Sequence, residues 1–179
     1  LKFFPATYTG MVVAIMATST ILSPIVPNSY SKCAVLGPFA ASVAKANNIE
    51  KGSKAAAGLF CAFFVPAAIH TMAFLTGSAM TFVLIGMMGE GYSFSWFGWF
   101  MCCSVWFAVN LVLTFLFILV YYRPKEKLNI SKDLINRKIA ELKPMNSDEK
   151  AASVILILSI LLWITGSYTG LKPYTVAAL

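Results

Sequence analysis

Between two apolar arms the chain reads Pro24-Ile25-Val26-Pro27-Asn28-Ser29-Tyr30-Ser31-Lys32, a polar break carrying two prolines. A bilayer interior has no water to satisfy backbone groups freed by such a break. Irregular backbone survives at that depth only where it lines a cavity or is buried in protein. Prolines remove backbone donors, while amide and hydroxyl side chains supply polar contacts, which is the chemistry a cavity lining needs. The break restricts the chain to folds whose helices stop inside the membrane, and it points to a transport site rather than a plain anchor.

Composition supplies the membrane. Of 179 residues, 59% are hydrophobic and 12% charged, and the mean hydropathy is +0.76. Several apolar stretches reach the roughly 20 residues that cross a bilayer, which excludes an ordinary soluble domain. The formal charge of +7 lies between apolar segments rather than along an exposed stripe with interleaved aromatics. It therefore reads as a positive-inside signal and not as a nucleic-acid surface. Cys33, Cys61, Cys102 and Cys103 show no metal-ligand spacing and sit in or beside apolar segments, as small membrane hydrophobes do. The chain opens on Leu1 with no signal-peptide pattern, so it is expected to be part of a longer polypeptide.

The apolar arms run over residues 6–23 and 33–46. At 1.5 Å per residue the second reaches only about 20 Å, short of a hydrocarbon core of about 30 Å. A re-entrant hairpin over 1–46, with its tip near 24–32, accounts for this; one ordinary span followed by a surface helix is the other reading. A polar loop follows at 47–54. The apolar run 55–88 would be about 50 Å long as one helix, too much for one span and too little for two. A break near Gly77, within Thr76-Gly77-Ser78-Ala79-Met80-Thr81, resolves the length. Such a helix presents half-helix ends toward the bilayer midplane, where dipoles and freed carbonyls can hold ions.

Gly89-Glu90-Gly91-Tyr92-Ser93 is a turn, and a further span runs over 96–122 with Trp96 and Trp99 near one interface and Tyr121 and Tyr122 at the other. Residues 123–150 form a charged connector. Ser131 is a candidate helix cap there, and Leu134, Ile135, Ile139 and Leu142 share one face, predicting an amphipathic surface helix. A last transmembrane helix occupies 151–179, its first turn opening at Ser147 with Asp148 and Glu149. The lysines and arginines place the connector and the 47–54 loop in the cytoplasm and the Glu90 turn outside. The fold class is an all-α integral membrane protein: a re-entrant helical hairpin, a broken transmembrane helix, further transmembrane helices and a cytoplasmic amphipathic connector.

Three stretches carry a family resemblance. Pro27-Asn28-Ser29-Tyr30-Ser31-Lys32, followed by Gly37-Pro38, resembles the hairpin tip of the divalent anion:sodium symporter family, which includes citrate, dicarboxylate and oxoglutarate/malate carriers. Phe74-Leu75-Thr76-Gly77-Ser78-Ala79-Met80-Thr81 is similar to the break in that family's next helix. Lys143-Pro144-Met145-Asn146-Ser147-Asp148-Glu149-Lys150, then Leu162-Trp163-Ile164-Thr165-Gly166, resembles the stretch that opens its second half. Order and spacing agree, and nearly the whole chain is covered. Family members are more than twice this long, with two inverted repeats; this chain corresponds to the end of the first and the start of the second. Two departures stand out. Where the family has Ser-Asn-Thr, a gap-free alignment gives Asn28, Ser29 and Tyr30, and where many relatives carry asparagine this chain has Thr81.

The resemblance implies a secondary active transporter that moves di- or tricarboxylates, coupled to Na⁺, by alternating access across the plasma (inner) membrane. It implies a homodimer at full length, lipid surroundings, and no cofactor beyond the coupling ion. Asn28, Ser29, Tyr30, Ser31 and Lys32 are the candidate substrate ligands, with hydroxyls and amides donating to carboxylate oxygens. Lys32 either pairs with substrate or snorkels to the interface. Ser29, Thr76, Gly77, Ser78 and Thr81 are the candidate Na⁺ ligands, a set of hard oxygens with no transition-metal donors. For the tip the bland alternative is a proline-kinked spanning helix; for Thr76 to Thr81 it is a small-residue packing surface. His70, the sole histidine, reads as a packed or hydrogen-bonded helix residue, and Asn110 as interhelical glue. A membrane-embedded enzyme is disfavoured, because no nucleophile–base pair or carboxylate cluster lies in the apolar segments. A non-transporting subunit, or a partial transporter lacking its second half, is the alternative function.

Overall fold

The computed structural model describes residues 7–26, 28–89, 92, 94–124, 144–170 and 175–176. Their regular structure is helical throughout, with no strand among the described residues. The elements are α1 (Tyr8–Ile21), α2 (Ser29–Ala46), α3 (Lys54–Ile69), a 3-10 turn (His70–Ala73), α4 (Ala79–Met87), α5 (Trp96–Tyr121), α6 (Ser147–Ile164) and the single turn α7 (Gly166–Thr169). The connector residues Ser131, Leu134, Ile135, Ile139 and Leu142, together with Pro27 and Glu90, lie outside the described residues. Among the described residues, two helical stretches, Lys54–Ala73 and Trp96–Tyr121, are long and apolar enough to cross a bilayer.

Each main helix starts where a short polar side chain can satisfy a backbone N–H that has no intrahelical partner. Thr7 accepts from the Gly10 amide at 3.1 Å, Ser53 from Ala56 at 3.2 Å and Ser95 from Gly98 at 3.0 Å. Asn146 and Glu149 cap α6 reciprocally: the Glu149 amide donates to Asn146 Oδ1 at 2.7 Å and the Asn146 amide to Glu149 Oε2 at 2.9 Å. That box starts α6 at Ser147, with Asp148 and Glu149 in its first turn.

The helix α3 is the centre of the fold. Both α1 and α2 pack chiefly against it and only slightly against each other, and α5 packs against it as well. Tyr8, Met11, Val12 and Ile15 of α1, Leu36 and Ala40 of α2, Leu59, Ala62 and Phe63 of α3 and Ile118 of α5 form the buried core. In lipid such contact brings no net hydrophobic gain, so close packing and interhelical hydrogen bonds must hold the helices. Gly58 provides the closest approach. A β-carbon there would run into the Tyr8 hydroxyl and lie 2.8 Å from Tyr122 Cβ and 3.4 Å from Ile118 Cγ2. Tyr8 donates to the Ala55 carbonyl at 3.1 Å and Ser19 to the Phe63 carbonyl at 2.9 Å, tying α1 to the start and the middle of α3.

A second cluster of Ala73, Phe74, Leu75 and Trp96 packs with Phe100, Phe107 and Trp163 below the break in the second apolar run. Most of α5 and α6 instead presents apolar side chains outward, including Val105, Val120, Ile155 and Ile157, as a helix in lipid or under further helices does. Asn110 donates one amide N–H to the Trp106 carbonyl of its own helix at 2.9 Å. That i−4 bond uses one of its two N–H donors and leaves the amide oxygen free for a neighbour.

Candidate functional site

The first break is shorter than its sequence suggests. After α1 the chain turns through Leu22–Ile25, with Ser23 and Val26 amides bonded back to Thr20 and Leu22. Asn28 is extended (φ −133°, ψ 120°), and its Oδ1 accepts from the Tyr30 amide at 2.8 Å. That cap draws Ser29, Tyr30, Ser31 and Lys32 into the first turn of α2. The second arm is therefore 18 residues long, about 27 Å, rather than the 14 expected from its apolar run. Four polar residues that read as loop are helical because the asparagine before them starts the helix.

The second break has the same construction. The 3-10 turn His70–Ala73 ends α3, Phe74 is extended, and the Gly77 amide donates to the Phe74 carbonyl at 3.0 Å. Ser78 is extended again, and its hydroxyl accepts from the Met80 amide at 3.2 Å to start α4. Each break is thus followed by a helix N-terminus carrying a polar cap, the end of a helix whose dipole is positive.

The two breaks are packed on each other. The Thr76 hydroxyl donates to the Pro24 carbonyl at 3.0 Å and accepts from Trp96 Nε1 at 3.1 Å. Gly77 is wedged under the Ser23 and Thr71 carbonyls: a β-carbon would sit 3.0 Å from the first and closer to the second. Its φ is not in the left-handed region, so the demand for glycine here is one of space. The sequence-predicted residues of the two breaks therefore come together at Thr76 and Gly77, through backbone carbonyls of the first break.

The remaining candidates divide by burial. Asn28, Tyr30 and Ser31 are exposed, and Ser29 and Ser78 are half-buried. Tyr30, at 85% exposure, points away from the helices described here. Thr81 is fully buried, and its hydroxyl has no hydrogen-bond partner among the described residues. Lys32 turns inward instead of running out to an interface. It is 1% exposed, and its ammonium donates to Ser23 Oγ at 3.3 Å and to Thr71 Oγ1. Beside it, His70 Nδ1 and Thr20 Oγ1 are 3.0 Å apart, and the buried imidazole stacks edge-on against Phe107 at 5.0 Å. Its Nε2 has no partner among the described residues.

Ser23, Thr71 and Thr20 went unnoticed in the sequence. A signal was present at the end of α1, where Ser23 follows one turn after Ser19 and Thr20, which face α3 and its 3-10 extension. Thr71 carried none, because a single hydroxyl in an apolar run is compatible with any face. Among the described residues no three His, Cys, Asp or Glu side chains converge.

Comparison with known proteins agrees with this architecture. The family described as the sodium:sulfate symporter transmembrane region matches residues 1–179. The chloroplastic dicarboxylate transporter 1 of Spinacia oleracea is 26% identical over 99% of this chain and 33% of its own length. An uncharacterized transporter of Haemophilus influenzae is 28% identical over 90% of this chain and 35% of its own. A membrane protein of Cupriavidus necator is 24% identical over 87% of this chain and 31% of its own. The chain thus spans about a third of the length of the relatives it matches.

Proposed function

The chain belongs to the sodium:sulfate symporter transmembrane-region family, and from that premise we propose that it supplies one side of the anion path in a secondary active transporter of di- or tricarboxylates. It is an integral membrane protein and not an enzyme. The observation that carries the reading is the Thr76–Pro24 hydrogen bond, which packs two interrupted helices break to break. Broken helices meeting in this way are how transporters place polar backbone at the membrane midplane.

Substrate chemistry follows from the two capped N-termini. A dianion needs donors and positive potential, and the α2 end offers the Asn28 amide, the hydroxyls of Ser29, Tyr30 and Ser31, and the helix dipole. The cap occupies only the acceptor end of Asn28, and its N–H donors remain for a carboxylate. The coupling ion is Na⁺, held by hard oxygens from Ser29, Thr76, Gly77, Ser78 and Thr81. The buried Thr81 hydroxyl, without a partner among the described residues, is the kind of oxygen such an ion recruits, since an unsatisfied buried hydroxyl is otherwise costly. The relative from Spinacia oleracea, named a dicarboxylate transporter, supports carboxylate over sulfate as the anion.

In the full-length protein the hairpin is re-entrant, the protein is multi-pass in the plasma membrane, and protomers pair as a homodimer. The hairpin-bearing unit moves against a fixed scaffold, giving alternating access. The test is uptake of radiolabelled succinate into proteoliposomes under an inward Na⁺ gradient, using the full-length protein. Asn28→Ala and Gly77→Leu are expected to abolish uptake while insertion persists. Undiminished uptake in both variants would overturn the reading.

A further inference from the structure

Ser23 and Thr71 each offer two groups at the junction of the breaks. Their carbonyls flank Gly77. Their hydroxyls each spend their single proton on the carbonyl one turn back, Ser23 on Ser19 at 3.0 Å and Thr71 on Ala67 at 2.6 Å. Only lone pairs are then left to face Lys32, so the ammonium must be the donor to both. The hydrogen bonds therefore have one direction throughout, from Lys32 through two hydroxyls into α1 and α3.

A buried ammonium is expensive, costing several kcal/mol even after the protein relaxes around it. Lys32 is buried to 1% exposure, and both of its hydrogen-bond partners among the described residues are neutral hydroxyls. A methionine of similar length would fill the same space without that cost. Retaining a cation is understandable if charge-assisted bonds to two separate segments are what the position requires.

We propose that Lys32 is a positioning residue. From the first turn of α2 it ties the end of α1 to the 3-10 turn, and so fixes how closely the Ser23 and Thr71 carbonyls approach Gly77. It acts on the junction of the breaks without touching the transported anion. Because Gly77 is among the proposed Na⁺ ligands, the tie sets the ion dependence of uptake; this consequence rests on the transport reading, while the tie itself does not.

The experiment uses the full-length protein in detergent and in proteoliposomes. Lys32→Met and Thr71→Val are each expected to lower the unfolding midpoint, and the double variant is expected to fall no further than the worse single. Residues in one hydrogen-bonded unit are non-additive in this way. Thr71→Ser keeps the hydroxyl and is expected to retain the native midpoint. Additive losses, or a Thr71→Ser variant as unstable as Thr71→Val, would overturn the proposal. In succinate uptake, Lys32→Met and Thr71→Val are expected to raise the half-saturating Na⁺ concentration by about tenfold, the scale of one charge-assisted hydrogen bond. Half-saturation for succinate at saturating Na⁺ should change little. A shift confined to succinate would assign Lys32 to the anion itself and overturn the proposal. If the native protein shows no Na⁺-dependent uptake, the transport reading fails while the stability cycle still decides the tie.

Discussion

Thr76 donates its hydroxyl proton to the Pro24 carbonyl at 3.0 Å, a bond between residues 52 positions apart that fastens one helix break to the other. The carbonyl matters because a proline-containing turn leaves backbone acceptors without helical partners. The donor matters because Thr76 simultaneously receives the indole N–H of Trp96 at 3.1 Å. One hydroxyl thus joins three segments: the turn after α1, the break before α4 and the first residue of α5.

Replacing Thr76 by valine keeps the shape and removes both bonds. The Trp96 N–H is left buried and unpaired, and the expected loss is about 2 kcal/mol of stability. Thr76→Ser retains the hydroxyl and should lose much less. Thermal unfolding of the full-length protein, followed by tryptophan fluorescence, measures both. A Thr76→Val variant as stable as the native protein, with the loss falling on Thr76→Ser instead, would show that the methyl group and not the hydroxyl holds the junction.

The helical class and both interruptions were legible in the sequence because they follow from length and punctuation. An apolar run too long for one span, with Gly77 inside it, leaves little choice but a break. The caps Thr7, Ser78, Ser95 and Asn146 were legible too, since each precedes an apolar or acidic-headed run, whereas Asn28 precedes four polar residues. Reading Asn28 as a cap would have placed Ser29 to Lys32 in a helix rather than a loop. The direction of Lys32 was not legible. Its two partners lie 9 and 39 residues away, and hydrophobic periodicity reports which face is apolar, not which hydroxyl meets which ammonium. The same limit hid the local bond of Asn110.

Two glycines in helices should respond oppositely to alanine. At Gly58 the added methyl group meets Tyr8, Tyr122 and Ile118 at the closest crossing of the core. Gly58→Ala is expected to cost about 1–3 kcal/mol by overpacking. At Gly86 nothing lies within 4 Å of the new carbon. Gly86→Ala is expected to be neutral or to gain up to about 1 kcal/mol from helix propensity. Unfolding midpoints of the two variants, measured side by side, check the contrast; a loss at Gly86 would place another segment of the protein against that face.

His70 is fully buried, bonded to Thr20 through Nδ1 and edge-on to Phe107. Those contacts describe a packed side chain that bridges α1 and the end of α3, parallel to the bridge that Lys32 makes beside it. His70→Gln keeps a polar group able to reach Thr20 but loses the ring contact, and it is expected to cost about 1–3 kcal/mol. If packing is the whole of its role, the pH profile of succinate uptake between about pH 5 and 8, where histidine titrates, keeps its shape in the variant. Only the amount of folded, active protein should fall. A profile that flattens in His70→Gln, at unchanged stability, would instead assign the imidazole to proton transfer. That outcome would also give a use to its Nε2, which has no partner among the described residues.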